Sequence, residues 1–435
     1  MTLLERIENI SKDDNDINVV NKKDRMSWGN ATIVFIGMWF SMWAVTIGFT
    51  MGRAMPFGQA VAACLIGFGV TAVYMILVGT VGCKESLPTV VLIDRFSGKG
   101  LSILFSITTF IVYVWGVGMQ ADIAGQALGA ALGLSKWGAL SALLAAVMAT
   151  SSLVGIKGIQ KVSKFVVPIF LTFTFIAAVI AIHKYGGMSA VMATETVPTM
   201  NFAAAVTAAA GAWISFATMA PDVTRHIKSP RDVAIASILS FTIGAILPII
   251  GVCLAVVTDV TDMGQVFAAI GFPWIGVIAT FFAAWTTNDN NGYTGGIALS
   301  RLTGLPRGKA TLIVSGLGII LAFLGSGASN VISALLGWMS ASACPAGAII
   351  VCHYYVFCKY GKQDVKIRSW VGVVAFLGGL MLALMGGGQI FEVWANIPAF
   401  VSGFVGSFVI YYICGKADLA MTKAQPVPKV IEEVA

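Results

Sequence analysis

The run Trp285-Thr286-Thr287-Asn288-Asp289-Asn290-Asn291 follows the apolar stretch Phe281-Phe282-Ala283-Ala284 and sets hydroxyls, amides and a carboxyl side by side. Hydroxyl oxygens suit a hard, singly charged cation, because hard cations take oxygen ligands. Amides donate and accept together, which suits the edge of a nitrogen heterocycle. Inside an apolar segment such groups face a cavity, an ion or another helix. Two plainer readings stand beside these. Thr286 and Thr287 can bond back to the preceding helical turn, and the amides can bond between helices. A broken first span would add freed backbone carbonyls near Gly37 and Phe40, and the eighth span another near Ala283.

Other polar and aromatic residues fall in the middle of apolar stretches. Trp213 and Trp115 can sandwich a flat ring, worth about 0.5–1.5 kcal/mol per stacked pair beyond burial, or pack between helices. Ser215 lies beside Trp213, and Gln120 and Asp122 follow Trp115. They can read a bound ring or bond across helices. Asp289 can hold a proton or orient the neighbouring amides. Asp222, between Pro221 and Arg225, reads as a helix-end or ion-pair residue. The three histidines are scattered and form no relay. No His-Glu-x-x-His, Gly-x-Ser-x-Gly or phosphate-loop pattern occurs, so no enzyme and no organic cofactor is expected. The seven cysteines show neither a disulfide framework nor metal spacing.

The elements that position these residues are membrane helices. Hydrophobic residues make up 57% of the 435 residues and charged ones 11%, against about 25% charged in soluble domains. The apolar residues come in blocks of roughly 20, long enough to cross a bilayer, and do not alternate as in a barrel. Hydropathy predicts twelve spans, near 31–52, 57–82, 103–131, 136–155, 163–183, 203–221, 232–257, 272–296, 309–325, 328–355, 369–386 and 395–414. All basic residues except Arg53, Lys136 and Lys184 then fall in alternate connections and the two tails. That asymmetry places both termini in the cytoplasm and makes the net charge of +7 a mark of topology. Basic residues spread over so many short segments offer no nucleic-acid surface. Residues 1–30 and 416–435 read as cytoplasmic tails around one transmembrane domain at 31–415, set in the lipid bilayer.

Gly37-Met38-Trp39-Phe40-Ser41 in span one and Gly211-Ala212-Trp213-Ile214-Ser215 in span six share the pattern Gly-x-Trp-x-Ser. An odd number of spans per repeat inverts the second copy, and matched Gly-interrupted segments predict broken helices around a midplane site. The repeats would cover about 31–183 and 203–355, with extra helices at 369–414. At about 1.5 Å of rise per residue, Gly37 to Phe40, Trp213, Thr286, Thr287 and Trp115 reach similar depths. That is compatible with one shared site.

The run from Trp285 to Asn290 resembles the eighth-span motif of bacterial cytosine permeases, within the nucleobase–cation symporter-1 family. Gly37 to Gly52, Arg95-Phe96-Ser97, Trp115-Gly116-Val117-Gly118 and Gly211 to Arg225 resemble that family in the same order. The resemblance implies an all-α, LeuT-type fold of two inverted five-span repeats plus two helices, in a bacterial-type inner membrane. It implies sodium-coupled uptake of a nucleobase or related ring. By position it implies sodium ligands at the carbonyls of Gly37, Phe40 and Ala283 and the hydroxyls of Thr286 and Thr287. It places Trp213, Asn288 and Ser215 at or beside the substrate positions. Several positions depart from cytosine permeases. Their span-three Gln-x-x-Trp-Phe-Gly reads Ile111-Val112-Tyr113-Val114-Trp115-Gly116 here, Ser41 replaces a phenylalanine, and His353-Tyr354 replaces Asp-Tyr. The expected substrate is therefore a small planar heterocycle of the nucleobase, hydroxymethylpyrimidine or hydantoin kind, contacted by Trp213, Ser215, Asn288, Trp115, Ser41, Gln120 and Asp122. Proton coupling through Asp289 or Asp122 is the alternative, with a membrane sensor or channel as further readings.

Overall fold

In hydrocarbon every backbone N–H and C=O must find its partner within the chain, which restricts the apolar blocks to helices. The computed structural model describes residues 20–39, 42–258, 263–325, 329–386, 396–422 and 427–428. Its helices follow the expected order. Span one is described over Trp28–Trp39 and Met42–Ala54, followed by Phe57–Glu85, Thr89–Ala131, Gly138–Val154 and Ile156–Lys184 as spans two to five. Span six is Phe202–Thr218, continued after a break by Ala220–Thr224. Spans seven to nine are Pro230–Val257, Pro273–Thr303 and Arg307–Leu324. Ser329–Val351 runs into a π-helical turn, Cys352–Phe357, as span ten, and Ser369–Met385 and Ala399–Thr422 close the bundle. Two short helices, Gly187–Ala193 and Met263–Ala269, precede spans six and eight. A two-residue antiparallel ladder pairs Gln363 with Pro428 and Asp364 with Val427.

The packing repeats when five spans are added. Span two packs on six and span seven on one; one packs on five and six on ten; five packs on eight and ten on three. That reciprocity is the contact pattern of two inverted five-span units, with spans three and eight packed along each other between them. Small residues permit the closest crossings, as in other membrane helices. A side chain at Gly48 would collide with the Pro248 carbonyl oxygen, and one at Gly251 with that of Val45.

Two features differ from the hydropathy reading. The helix expected from residue 103 begins at Thr89 and bends at Gly98, whose φ of +75° is open to glycine without the strain a side chain adds. The break in span six is at Met219, not at Gly211–Ser215, which lies within a continuous helix. Pro221 accounts for its position, because it supplies no N–H to continue the hydrogen-bond ladder. Gly82 of span two packs directly on Pro221.

Large apolar side chains are exposed on the outside of the bundle, and the polar run of span eight is buried inside it. Leu65, Phe165 and Ile413 are more than half exposed, whereas Thr286 to Asn291 are each 3% exposed or less.

Candidate functional site

Span eight carries its polar run on every side, and each side meets a different neighbour. Thr286 and Thr287 both donate to the Ala283 carbonyl, at 3.1 Å each, and Thr286 also reaches the Phe282 carbonyl at 3.3 Å. This is the back-bonded arrangement. It also gathers three oxygens at one point, and a hydroxyl that donates its hydrogen keeps its lone pairs. Gly37, in the first half of span one, lies opposite. A Cβ built there would stand 3.5 Å from the Thr286 Cβ and 2.8 Å from the Ser163 Oγ of span five. Gly37, Ala283, Thr286 and Thr287 are thus brought to one junction of spans one, five and eight. Phe40 and Ser41 lie outside the described residues.

The opposite side of span eight faces spans three and four. Asn288 donates to the Val117 carbonyl at 3.1 Å and to the Met148 sulfur at 3.2 Å, and accepts from Asn291 at 3.1 Å. Asn291 lies against Gly116, where a Cβ would meet its amide at 3.0 Å. Asp289 accepts a hydrogen bond from Ser151 of span four, and the Trp285 indole N–H donates to the same Ser151 hydroxyl at 2.8 Å. The second Asp289 carboxylate oxygen has no partner. Asp289 therefore ties span eight to span four.

Spans two, three and six share an aromatic cluster. Trp213 and Phe216 lie 6.2 Å apart between ring centroids, and Tyr113 meets Phe216 edge-on at 5.8 Å. Phe68 packs on Trp213 at 6.2 Å. The Tyr113 and Ser215 hydroxyls are neighbours, yet both are buried without a hydrogen-bond partner. Buried polar atoms are nearly always satisfied, and two unpaired hydroxyls beside one aromatic cluster can take up the polar edge of a flat ligand.

Trp115 and Asp122 are not brought to this cluster. Trp115 is two residues past Tyr113, about 200° round the helix, and makes no ring contact with the span-six aromatics among the described pairs. Tyr113 meets them in its place. Asp122 is likewise about 200° from Gln120 and turns to span four, accepting from the Trp137 indole at 3.1 Å and the Ser141 hydroxyl at 3.1 Å. It lines a separate cavity of about 610 Å³ with Gln126, Lys136 and Trp137. Gln120 is buried one turn beyond Gly116. Tyr113, Phe216 and Ser163 were not singled out by the sequence reading, and only the three-dimensional approach of the helices distinguishes them.

The end of the bundle that carries the basic connections is closed. Arg225 and His226 reach the Tyr293 hydroxyl at 3.0 and 3.3 Å, and the Arg307 guanidinium lies 5.1 Å over the Tyr293 ring. The Met26 backbone pairs with His226 and Lys228, bonding the segment before span one to the connection after span six. Asp222 accepts the Thr89 backbone N–H at 2.8 Å, and Arg225 donates to the Asp222 carbonyl. Burial, reinforced by Arg225, Arg307 and Arg25, holds His226 well below its ordinary pKa of 6.5 and so neutral. Arg95-Phe96-Ser97 and His353 form a further tie. Arg95 pairs with Glu85 and Asp364, and His353 stacks on Phe96 at 4.4 Å and bonds Tyr411 at 2.8 Å.

Residues 18–411 match the family described as permeases for cytosine/purines, uracil, thiamine and allantoin. The cytosine permease of Escherichia coli K12 is 25% identical over 362 residues, covering 80% of this chain and 84% of that protein. Among solved structures, Mhp1, a nucleobase-cation-symport-1 transporter closed on bromovinylhydantoin, superposes with a TM-score of 0.80 at 14% identity, over 93% of this chain and 96% of that one. Inward-facing Mhp1 gives 0.71 over 93% of each chain at 14% identity. An outward-open, sodium-coupled sialic acid symporter gives 0.71 at 13% identity, over 98% and 97%.

Proposed function

The chain belongs to the family of permeases for cytosine/purines, uracil, thiamine and allantoin, the nucleobase–cation symporters, and on that premise we propose a sodium-coupled importer of a small planar nitrogen heterocycle. It works in a bacterial-type inner membrane with both termini cytoplasmic, by alternating access. The observation that carries this reading is the junction of Gly37 with Thr286, where the oxygens of Ala283, Thr286 and Thr287 gather on span eight beside span one. Freed carbonyls of Gly37 and Phe40 would complete a neutral oxygen cage, which suits a single positive charge. The site holds no cluster of His, Cys, Asp and Glu among the described residues.

Substrate is assigned to the cluster of Trp213, Ser215, Tyr113 and Phe216, with Asn288, Asn291 and Gln120 on the facing spans and Ser41 of span one as a further candidate. The ring stacks on Trp213, and its edge takes up the unpaired hydroxyls of Tyr113 and Ser215. Thr286 and Thr287 lie within one helical turn of Asn288, so sodium and substrate act on adjacent turns of one helix. Sodium bound between spans one and eight fixes their relative position and favours the arrangement in which substrate fits. By linkage, substrate then raises sodium affinity by the same factor. One sodium ion entering down 100 mV releases about 2.3 kcal/mol, enough to concentrate a neutral solute about fiftyfold.

A second reading, proton coupling through Asp289, is favoured by the unpaired carboxylate oxygen deep between spans four and eight. A thermal-shift screen against nucleobases and hydantoins, in sodium and in choline, tests both. The sodium reading expects substrate stabilisation that grows with sodium. Stabilisation indifferent to sodium would leave proton coupling.

A further inference from the structure

We infer that Ser163 of span five supplies an additional oxygen to the sodium site, an inference that rests on the sodium reading above. Its hydroxyl is fully buried and has no hydrogen-bond partner. A serine within a helix ordinarily bonds back to the carbonyl three or four residues earlier. Thr286, Thr287 and Thr172 all do so in this protein, and Ser163 does not. Instead its oxygen faces Gly37, 2.8 Å from where a Cβ would stand, with the Thr286 Cβ on the other flank of the same point. Spans one, five and eight all pack on one another here, so the space before Ser163 is bounded by protein on each side.

The chemistry fits a hard cation. The ligands assigned above come from spans one and eight alone, and hard cations gather about six oxygens. A neutral hydroxyl from span five extends that shell without adding charge. The orphaned oxygen thereby gains the partner that burial otherwise denies it, since an unmade bond in such a place costs about 1–3 kcal/mol. The arrangement also has a mechanical consequence. A ligand on span five makes sodium bridge three helices, so its release frees span five from spans one and eight together.

The test needs no transported substrate. Purified protein is titrated with sodium chloride against choline chloride at constant ionic strength, and thermal stabilisation is read as sodium occupancy. Ser163→Ala is expected to raise the half-saturating sodium concentration about tenfold, as losses around metal sites commonly do. Ser163→Cys is expected to match Ser163→Ala, because a thiol fills the volume but is a poor ligand for a hard cation. Half-saturation unchanged in Ser163→Ala, while Thr286→Ala raises it, overturns the role of Ser163 and leaves the sodium site standing. Wild-type affinity in Ser163→Cys also overturns it, since packing alone would then account for the position. A wild-type protein that sodium does not stabilise overturns both this inference and the reading beneath it.

Discussion

Gly37 faces Thr286 across the junction of spans one and eight with no room for a bulky side chain between them, the Cβ positions being 3.5 Å apart. Gly37→Ala is expected to push on Ser163 and to lower sodium affinity, and Gly37→Val to abolish sodium-dependent uptake. Sodium titrations of uptake by the two variants check this. Wild-type sodium dependence in Gly37→Val would show that the junction holds no ion.

Thr286→Ala and Thr287→Ala each remove a hydroxyl that converges on the Ala283 carbonyl. Hydrogen bonds and contacts to charged groups contribute about 1.5–3 kcal/mol, so each variant should need roughly ten- to a hundredfold more sodium. Thr286→Ser retains the oxygen and should stay near wild type. The measured quantity is the sodium concentration for half-maximal uptake.

Tyr113→Phe should separate stability from binding. The variant deletes a buried hydroxyl without a partner, so the substrate-free protein should be as stable as wild type or more so. Substrate affinity should fall, because a ligand loses that donor. Thermal melting alone and with saturating substrate distinguishes the two effects. A Tyr113→Phe protein with unchanged affinity would place the ring elsewhere.

His226 ties the basic end of the bundle to a pH. It is buried and neutral, with a depressed pKa, so an opened, solvated His226 binds protons more readily than the closed one. The closed state therefore keeps its full stability above the ordinary value of 6.5 and loses it as pH falls below that value. Cys83, whose thiol donates to the neighbouring Ile227 carbonyl at 3.4 Å, reports the opening. In a variant keeping Cys83 alone, its alkylation rate at a given thiolate concentration should rise from pH 7.5 to 5.5. His226→Asn should flatten the dependence.

Hydropathy and charge were enough to place the twelve spans, because membrane length and loop asymmetry are properties of composition along the chain. The break expected in span one near Gly37–Ser41 falls on residues 40 and 41, outside the described residues. The break in span six was not legible at Gly211, where Gly67 of span two packs on Ala209 and Ala210 and the helix runs on to the turn before Pro221. Asp122 and Trp115 stand near Gln120 in the chain but face elsewhere, because two residues along a helix point to opposite sides. Ser163 gave no signal in the chain, since its meaning depends on a glycine more than a hundred residues away.

The central claim is that sodium binding at the Gly37–Thr286 junction drives uptake. Its most direct measurement is accumulation of radiolabelled cytosine, hypoxanthine and hydantoin in proteoliposomes under an inward sodium gradient, against choline with and without an inward proton gradient. The account predicts accumulation of at least one of these rings with sodium, none with choline under either condition, and loss of the sodium response in Thr286→Ala. Equal accumulation in choline, driven by the proton gradient and abolished in Asp289→Asn, would contradict it.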